Sequence, residues 1–520
     1  MQNIRRKTAT LHLPLLVVLL ALGLVANRAN ALEAEGEMEV QTDETAWIAE
    51  SDEHALYLMR ATAAFDPENA AANGLTEFDA EIFDIGDNYR ERFNTLEESL
   101  TLELRQRLKK TNNVKVRQDL QILIQSLEDS IRSRSLNAQY LTPYFELHQI
   151  LFYSFRGILD PRNDPERHAK AIERLRKYAG IEPGYTPVSQ LAIARSTETF
   201  SNAALIGPYR VQLETDIGDA ERLVSGMRNL FESSGLEGWQ KDFAQLETQL
   251  NDYRDWLRSE LLPRARADNR LPLEVYANRL SNFGVRSSPE ELIADALYAY
   301  QFIRGEMKAL AVKIAARRGW EDSELVSVMR RLKKETIADD KILELYRQRL
   351  AELELIIERE QLLTLPERDA SIRLATEAEA AVVPASFMSP PQLINNTGQY
   401  GEFVLVQSNP ALGADARMDD WGHDAITWAL TAHETRPGHE LQFARLVEDG
   451  TSIARAIYAF NSANVEGWGL YAEFIVHQFL GEEAQLFSLF SRQMRAARMF
   501  LDPMVNLGLL QPEEAVRFMQ

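Results

Sequence analysis

Apolar residues recur at three- and four-residue intervals through most of the chain, with charged residues between them, and this spacing predicts amphipathic helices rather than strands. From about Arg90 to Arg134 a Leu-rich pattern predicts two long helices broken at the polar hinge Thr111-Asn112-Asn113. Ser288-Pro289-Glu290-Glu291 reads as a helix start. The Ser accepts an amide hydrogen bond, the Pro suits the first turn and the acid three residues on reaches back. That helix is expected to run to about Arg318-Gly319, and Glu321 to Glu360 continues in the same style. The character changes at Val382-Val383-Pro384. A Pro-, Ser- and Asn-containing stretch then leads to Glu402–Val406, the best strand candidate, so a small β element is expected near 401–407. Asp419 or Asp420 is placed to cap a helix carrying Trp428 and Leu430, and a further helical run is expected from about Ile453 to Leu480.

With only 19 Pro and 25 Gly in 520 residues, no fixed-period repeat and no long linker, residues 32–520 are expected to form a single mainly α-helical domain. Its last helix, opened by Gln511-Pro512-Glu513-Glu514, is still running at Gln520, so the domain reads as truncated at the C-terminus. At the other end, Arg5-Arg6-Lys7, the apolar run Leu13 to Val25 and Ala29-Asn30-Ala31 form a secretory leader over residues 1–31. The apolar run is shorter than the ~20 residues a membrane span needs. The expected product is periplasmic or secreted in a bacterium, with no stable membrane insertion.

The formal net charge is -21, and removing the leader's four cations takes it to -25, so nucleic acid is excluded as a partner by repulsion. The number of associating chains is not legible. There is no cysteine, which closes the thioether-linked lipid anchor, disulfides and thiolate metal sites. Any metal must be held by His, Asp and Glu.

Of eight histidines, His433 and His439 frame the segment His433-Glu434-Thr435-Arg436-Pro437-Gly438-His439-Glu440. A His-Glu pair followed by another His is the skeleton of a zinc hydrolase site, in which two imidazoles hold the ion and the Glu is general base toward the attacking water. On a regular helix, however, a six-residue step leaves the two rings ~120° apart and ~9 Å along the axis, too far to chelate. Pro437 lacks the ladder amide and Gly438 admits unusual angles, so the tract must bulge or break there. Such a break could swing His439 back toward His433. The plainer alternative is a kink after His433 with His439 capping the next segment.

Catalytic zinc normally takes three protein ligands, and Glu466 in Asn464-Val465-Glu466-Gly467-Trp468-Gly469-Leu470-Tyr471 is the candidate third. Glycines inside a helix cost roughly 1 kcal/mol each relative to Ala. Close packing of this helix on the His433 helix would account for Gly467 and Gly469 and bring Glu466 to a shared ion. The alternative is a tight helix crossing with Glu466 at its solvated edge. Glu466, Leu470, Glu473 and His477 recur on one face, so Glu473 is placed to orient a ligand. Arg436 and Tyr471 are candidates for polarising or anchoring a substrate.

These two segments resemble the bacterial domain of unknown function 885 family, grouped with zincin-type metallopeptidases and marked by H-E-x-x-P-G-H with a later E-G-W-x-L-Y. The likeness extends to Glu274-Val275-Tyr276, Ser288-Pro289-Glu290-Glu291, Arg498 and Asp502, over roughly residues 140–520. The resemblance implies a large helical zincin-like metallopeptidase fold with a cleft, one zinc ion on His433, His439 and Glu466, and Glu434 as base. The resemblance also implies a further helical stretch after the point where this chain ends.

The expectation is therefore an exported zinc peptidase acting on peptides, with the Glu402–Val406 strand available to pair with an extended substrate. The same ligands would serve a hydrolase of esters or non-peptide amides, and a non-catalytic helical periplasmic binding or scaffold protein is the reading of a different class. A di-iron carboxylate site is excluded, because Glu434 and Glu466 meet Pro437 and Gly469 where a Glu-x-x-His pair needs histidine.

Overall fold

At several helix starts a side chain caps the first turn. In the computed structural model, which describes residues 45–519 except 377–378, 381–382, 384 and 408–421, helices Tyr89–Lys110 and Val114–Tyr140 are separated by Thr111-Asn112-Asn113. Asn113 caps the second helix, its side-chain oxygen accepting from Lys115 N at 2.9 Å. Ser288 and Glu291 form the reciprocal capping box that opens Pro289–Arg318, and Gly319 closes that helix in the left-handed region at φ 69°. The stretch Glu321–Glu360 resolves into two helices, Leu325–Lys333 and Asp339–Arg359.

The run expected from Ile453 to Leu480 is not one helix. A π-turn at Ala454–Tyr458 gives way to extended backbone at Asn461, whose side chain caps Ser462–His477. Asn461 can take its own amide group back to the Asn464 N–H at 2.9 Å, which favours a new start over continuation. The leader region and the positions Asp419 and Asp420 lie outside the described residues. The helix those acids were expected to cap, Asp424–Glu434, has His423 at its N-cap.

A small mixed sheet accompanies the helices: β1 (Ser371–Leu374) runs parallel to β3 (Glu402–Leu405), and β2 (Phe387–Ser389) runs antiparallel to β3 on its other side. Ile372 and Met388 both register with Phe403, which is fully buried. The fold is mainly α.

Helix Asp424–Glu434, called here the His433 helix, is buried along nearly its whole length, with Ala425, Ile426, Ala429, Leu430 and Ala432 supplying its apolar contacts. Ala425, Ile426 and Ala429 pack with Ile303 and Met307 of the Pro289–Arg318 helix and with Leu486 and Phe487 of helix Glu482–Asn506. Leu430 meets Tyr346, Leu350 and β3 through Phe403 and Leu405, while Ala432 packs with Leu353, Val476 and Leu480. Burying Ile426 and Leu430 contributes roughly 1.5–3 kcal/mol each. The helix that ends on His433 and Glu434 is thus held from three directions by the core. Thr45–Gln520 form one compact unit, and among the described residues no helix is long and apolar enough to cross a membrane.

Candidate metal centre

The backbone breaks between the two histidines. The His433 helix ends at Glu434, the Arg436–Pro437 peptide is cis, and a new helix begins at His439 and runs to Glu448. Gly438 lies so close to the preceding turn that a Cβ there would stand 1.8 Å from the His433 carbonyl oxygen and 2.4 Å from that of Ala432, so no other residue fits without moving the backbone. This fold-back brings the imidazoles of His433 and His439 to a centroid separation of 4.7 Å at an interplanar angle of 83°. The Trp468 indole N–H braces the turn from the opposite helix, donating to Pro437 O at 3.1 Å and Gly438 O at 3.0 Å.

Helix Ser462–His477, the Glu466 helix, crosses the His433 helix at Gly469. A Cβ at that position would meet Cε1, Nε2 and Nδ1 of His433 at 2.4, 2.7 and 2.8 Å, so the imidazole occupies the space a side chain would take. Gly467 faces open space, and nothing in the structure explains it. Glu466 Oε2 lies 3.3 Å from His433 Nε2, and Glu473 Oε1 lies 2.8 Å from His433 Nδ1. The ring is thereby fixed by a 1% exposed carboxylate on one nitrogen and faces a half-exposed one on the other.

His433, His439 and Glu466 each present a donor atom within 4.8 Å of the other two. Ligands ~2.0–2.1 Å from a tetrahedral zinc stand ~3.4 Å apart, so the His433–Glu466 pair is already at that spacing and the remaining gaps close with about 1 Å of side-chain movement. The charges agree with this. Glu434, Glu466 and Glu473 gather three carboxylates around the two imidazoles, with Arg495 beside them, and this concentration of acid suits a cation. His439 Nδ1 is buried with no hydrogen-bond partner. The residues fit a divalent ion.

Titration of the four groups follows from the same contacts. The bond to His433 outweighs desolvation and holds Glu466 down at about 2. Burial pulls His433 down, but Glu466 and Glu473 together lift it to about 9. Burial and the neighbouring His433 charge lower His439 to about 4. Glu434 is raised to about 7, chiefly by burial and against the pull of His433.

These groups open onto a cavity of about 780 Å³ lined by His433, Glu434, His439, Glu466, Arg495 and β2. The Met388 backbone N–H of β2 donates to the Glu434 carboxylate. β3, expected to be open to a substrate, is the central strand and hydrogen-bonded on both sides, so its backbone groups are taken; β2 is the strand beside the cavity.

Arg436, expected near a substrate, is 2% exposed and donates to Glu440 Oε2 at 2.8 Å, Glu354 Oε1 at 2.6 Å and the Arg368 carbonyl at 2.9 Å. It braces the break between the histidines instead. Tyr471 is 52% exposed, lies beside Trp468 and Phe474, and does not line the cavity. Arg495 is the site residue that sequence reasoning missed. Its Nη2 lies 3.3 Å from both ring nitrogens of His433, and its Nη1 lies 3.6 Å from Glu473 Oε1. It comes from helix Glu482–Asn506, where only its place among Arg492, Arg495 and Arg498 hinted at a facing row.

The fold and the cluster define a mainly α-helical protein with a His–His–Glu constellation at the wall of a cavity. Residues 67–520 match the family described as "Bacterial protein of unknown function (DUF885)", and the chain belongs to that family. It is similar in fold to a candidate lipoprotein of unknown function from Shewanella oneidensis (TM-score 0.66, 17% identity, covering 91% of this chain and 86% of that one). A candidate lipoprotein from Colwellia psychrerythraea is similar to the same degree (TM-score 0.67, 15% identity, 91% and 86% covered). No curated protein matches.

Proposed function

We propose that this protein is an exported zinc-dependent hydrolase that cleaves peptide bonds, with His433, His439 and Glu466 as ligands of one ion and Glu434 as general base. The observation that carries the reading is the convergence of those three donors within 4.8 Å of one another, with Glu434 next in the chain to His433 and lining the same cavity. A zinc ion there would supply a lowered water pKa and polarisation of the scissile carbonyl.

The protein's own groups do the rest. Glu434 is buried beside the cavity and titrates at about 7, so near neutral pH it can take a proton from the attacking water and return it to the leaving nitrogen as the C–N bond breaks. Glu473 and Gly469 hold the His433 ring in place, one by a 2.8 Å contact and the other by leaving room. β2, the sheet edge beside the cavity, supports a peptide over other substrates, through backbone groups other than the Met388 N–H that Glu434 holds. Export rests on the expected leader and on the two similar structures being candidate lipoproteins. The 520 residues contain no cysteine for a thioether-linked lipid, so a soluble periplasmic or secreted form is the consistent state.

The test is bound zinc together with hydrolysis of a panel of peptides, esters and non-peptide amides by the parent and by Glu434→Gln. The expected result is about one zinc per chain, peptide cleavage by the parent, and a loss of at least ~10²-fold in the variant with zinc retained. Absence of zinc in the parent would overturn the site, retained activity in the variant would overturn the base, and turnover of esters alone would overturn the substrate class.

A further inference from the structure

Away from the histidines, a second cavity of about 420 Å³ is walled by the extended segment Ile206–Tyr209. Backbone hydrogen bonds pin this segment on both sides. Thr142 N–H donates to Ile206 O and Ile206 N–H to Tyr140 O, while Arg210 N–H donates to Arg266 O and Arg266 N–H to Pro208 O, each at 2.9 Å. Gly207 is required, because a Cβ there would stand 2.1 Å from the Arg264 carbonyl oxygen. The wall is therefore built rather than a gap between loose side chains.

Three guanidiniums line this cavity, Arg90, Arg266 and Arg279, and none makes an ion pair among the described residues. Among the described residues Arg266 is held by carbonyls, donating to Gly207 O at 3.1 Å and Asn269 O at 3.2 Å; Arg90 hydrogen-bonds the Tyr89 hydroxyl at 3.2 Å; and Arg279 makes no side-chain hydrogen bond. Glu146 is the one carboxylate in the lining. In a chain with 78 acids for 57 bases, three cations sharing a cavity with a single acid are not there for want of partners. Burial and the charge of Arg279 hold Arg266 below its usual pKa against the pull of Asp268, so an anion would relieve it. The phenol rings of Tyr89, Tyr144 and Tyr209 supply apolar wall for the body of a ligand.

We infer that this cavity binds a small organic oxyanion, a carboxylate or a phosphate monoester carried on an apolar or aromatic body, with Arg90, Arg266 and Arg279 as its cationic partners. Guanidinium suits either headgroup because its paired N–H donors match two oxygens. The site involves none of the groups assigned to the metal centre and stands whether or not zinc is bound.

Phenyl phosphate, benzoate and, as the uncharged control, benzyl alcohol are titrated calorimetrically and by melting temperature into the parent and into Arg90→Gln, Arg279→Gln and the double variant. Arg90 and Arg279 have no ion pair to lose, so the variants are expected to keep the parent's circular dichroism. Saturable binding of at least one anion, weakened about tenfold or more in the double variant, is the expected result, and the tighter anion identifies the headgroup. The inference is overturned if neither anion binds, if binding survives in the double variant, or if benzyl alcohol binds as well as the anions.

Discussion

Replacing Gly469 by Ala sets two effects of opposite sign against each other. In an exposed helix the change would stabilise by roughly 0.5–1 kcal/mol, because Ala loses less backbone freedom on folding. Here the new methyl would stand 2.4–2.8 Å from three atoms of the His433 ring, where carbon contacts normally lie at ~3.5–4.0 Å, so the ring or the helix must retreat by about 1 Å. The ring cannot swing freely, since Glu473 Oε1 is 2.8 Å from Nδ1 and the His433 helix is packed on all sides. Overpacking of this kind costs ~1–3 kcal/mol, which exceeds the helix gain. A displacement of ~1 Å at a reacting centre costs on the order of 10²-fold in rate. Gly469→Ala is therefore expected to melt lower than the parent and to lose at least tenfold in zinc affinity, read by competition with a chromophoric chelator. Gly467→Ala is the internal control. Its Cβ meets nothing within 4 Å, so it should gain the helix term, about 1 °C in a unit of this size, and leave zinc binding alone. If Gly469→Ala binds zinc like the parent, the packing argument for the site is wrong.

Other expectations use separate observations. Glu473→Gln keeps an oxygen opposite His433 Nδ1 but removes the charge, and should weaken zinc binding by 10–100-fold with the fold intact; an unchanged affinity would show that Glu473 does not support the ligand. Zinc at 100-fold over its Kd should stabilise the protein by ~2.7 kcal/mol and a chelator should remove that gain, so chelator-insensitive melting of a zinc-loaded preparation argues against the site. Arg436→Gln removes one of the two cations on fully buried Glu440, leaving Arg368 Nη1 at 2.7 Å, and should cost ~1.5–3 kcal/mol in denaturant unfolding; a loss below ~0.5 kcal/mol would refute the bracing role. His148, 4% exposed, is lowered to about 4 by burial. Its folded pKa lies below the unfolded value of ~6.5, so its contribution is complete above pH ~6.5 and declines as pH falls toward 4, by up to ~3 kcal/mol. His148→Gln should flatten the stability profile between those pH values, and superimposable profiles would refute the assignment.

What could be read in advance divides along the range of the interactions. The hinge at Thr111–Asn113 and the capping box at Ser288 are closed within four residues, so their signals sit in the local sequence. The strands β1 and β2 are four and three residues long and exist because β3 pairs with them from up to 31 positions away, which no local pattern announces. The break at Asn461 was hidden because the apolar spacing continues through it while the capping amide interrupts the ladder. In the candidate site, the two histidines and Glu466 stood out by residue type and by the glycines and proline beside them. Arg495 did not, since an arginine on a helix gives no hint of which imidazole it will lie against. Arg436 misled for a related reason: next to a histidine motif a cation suggests a ligand for substrate, and only three-dimensional packing reveals Glu354 and Glu440 waiting for it.

The three donors are shielded unequally. His433 and His439 are sunk in the protein, whereas the Glu466 side chain is 57% exposed. An ion seated among them would have one door. Exchange with solvent would begin by letting go of the carboxylate, and a chelator would form its first bond on that side, so the rate of metal loss would be governed by how tightly a single residue is tethered at the rim.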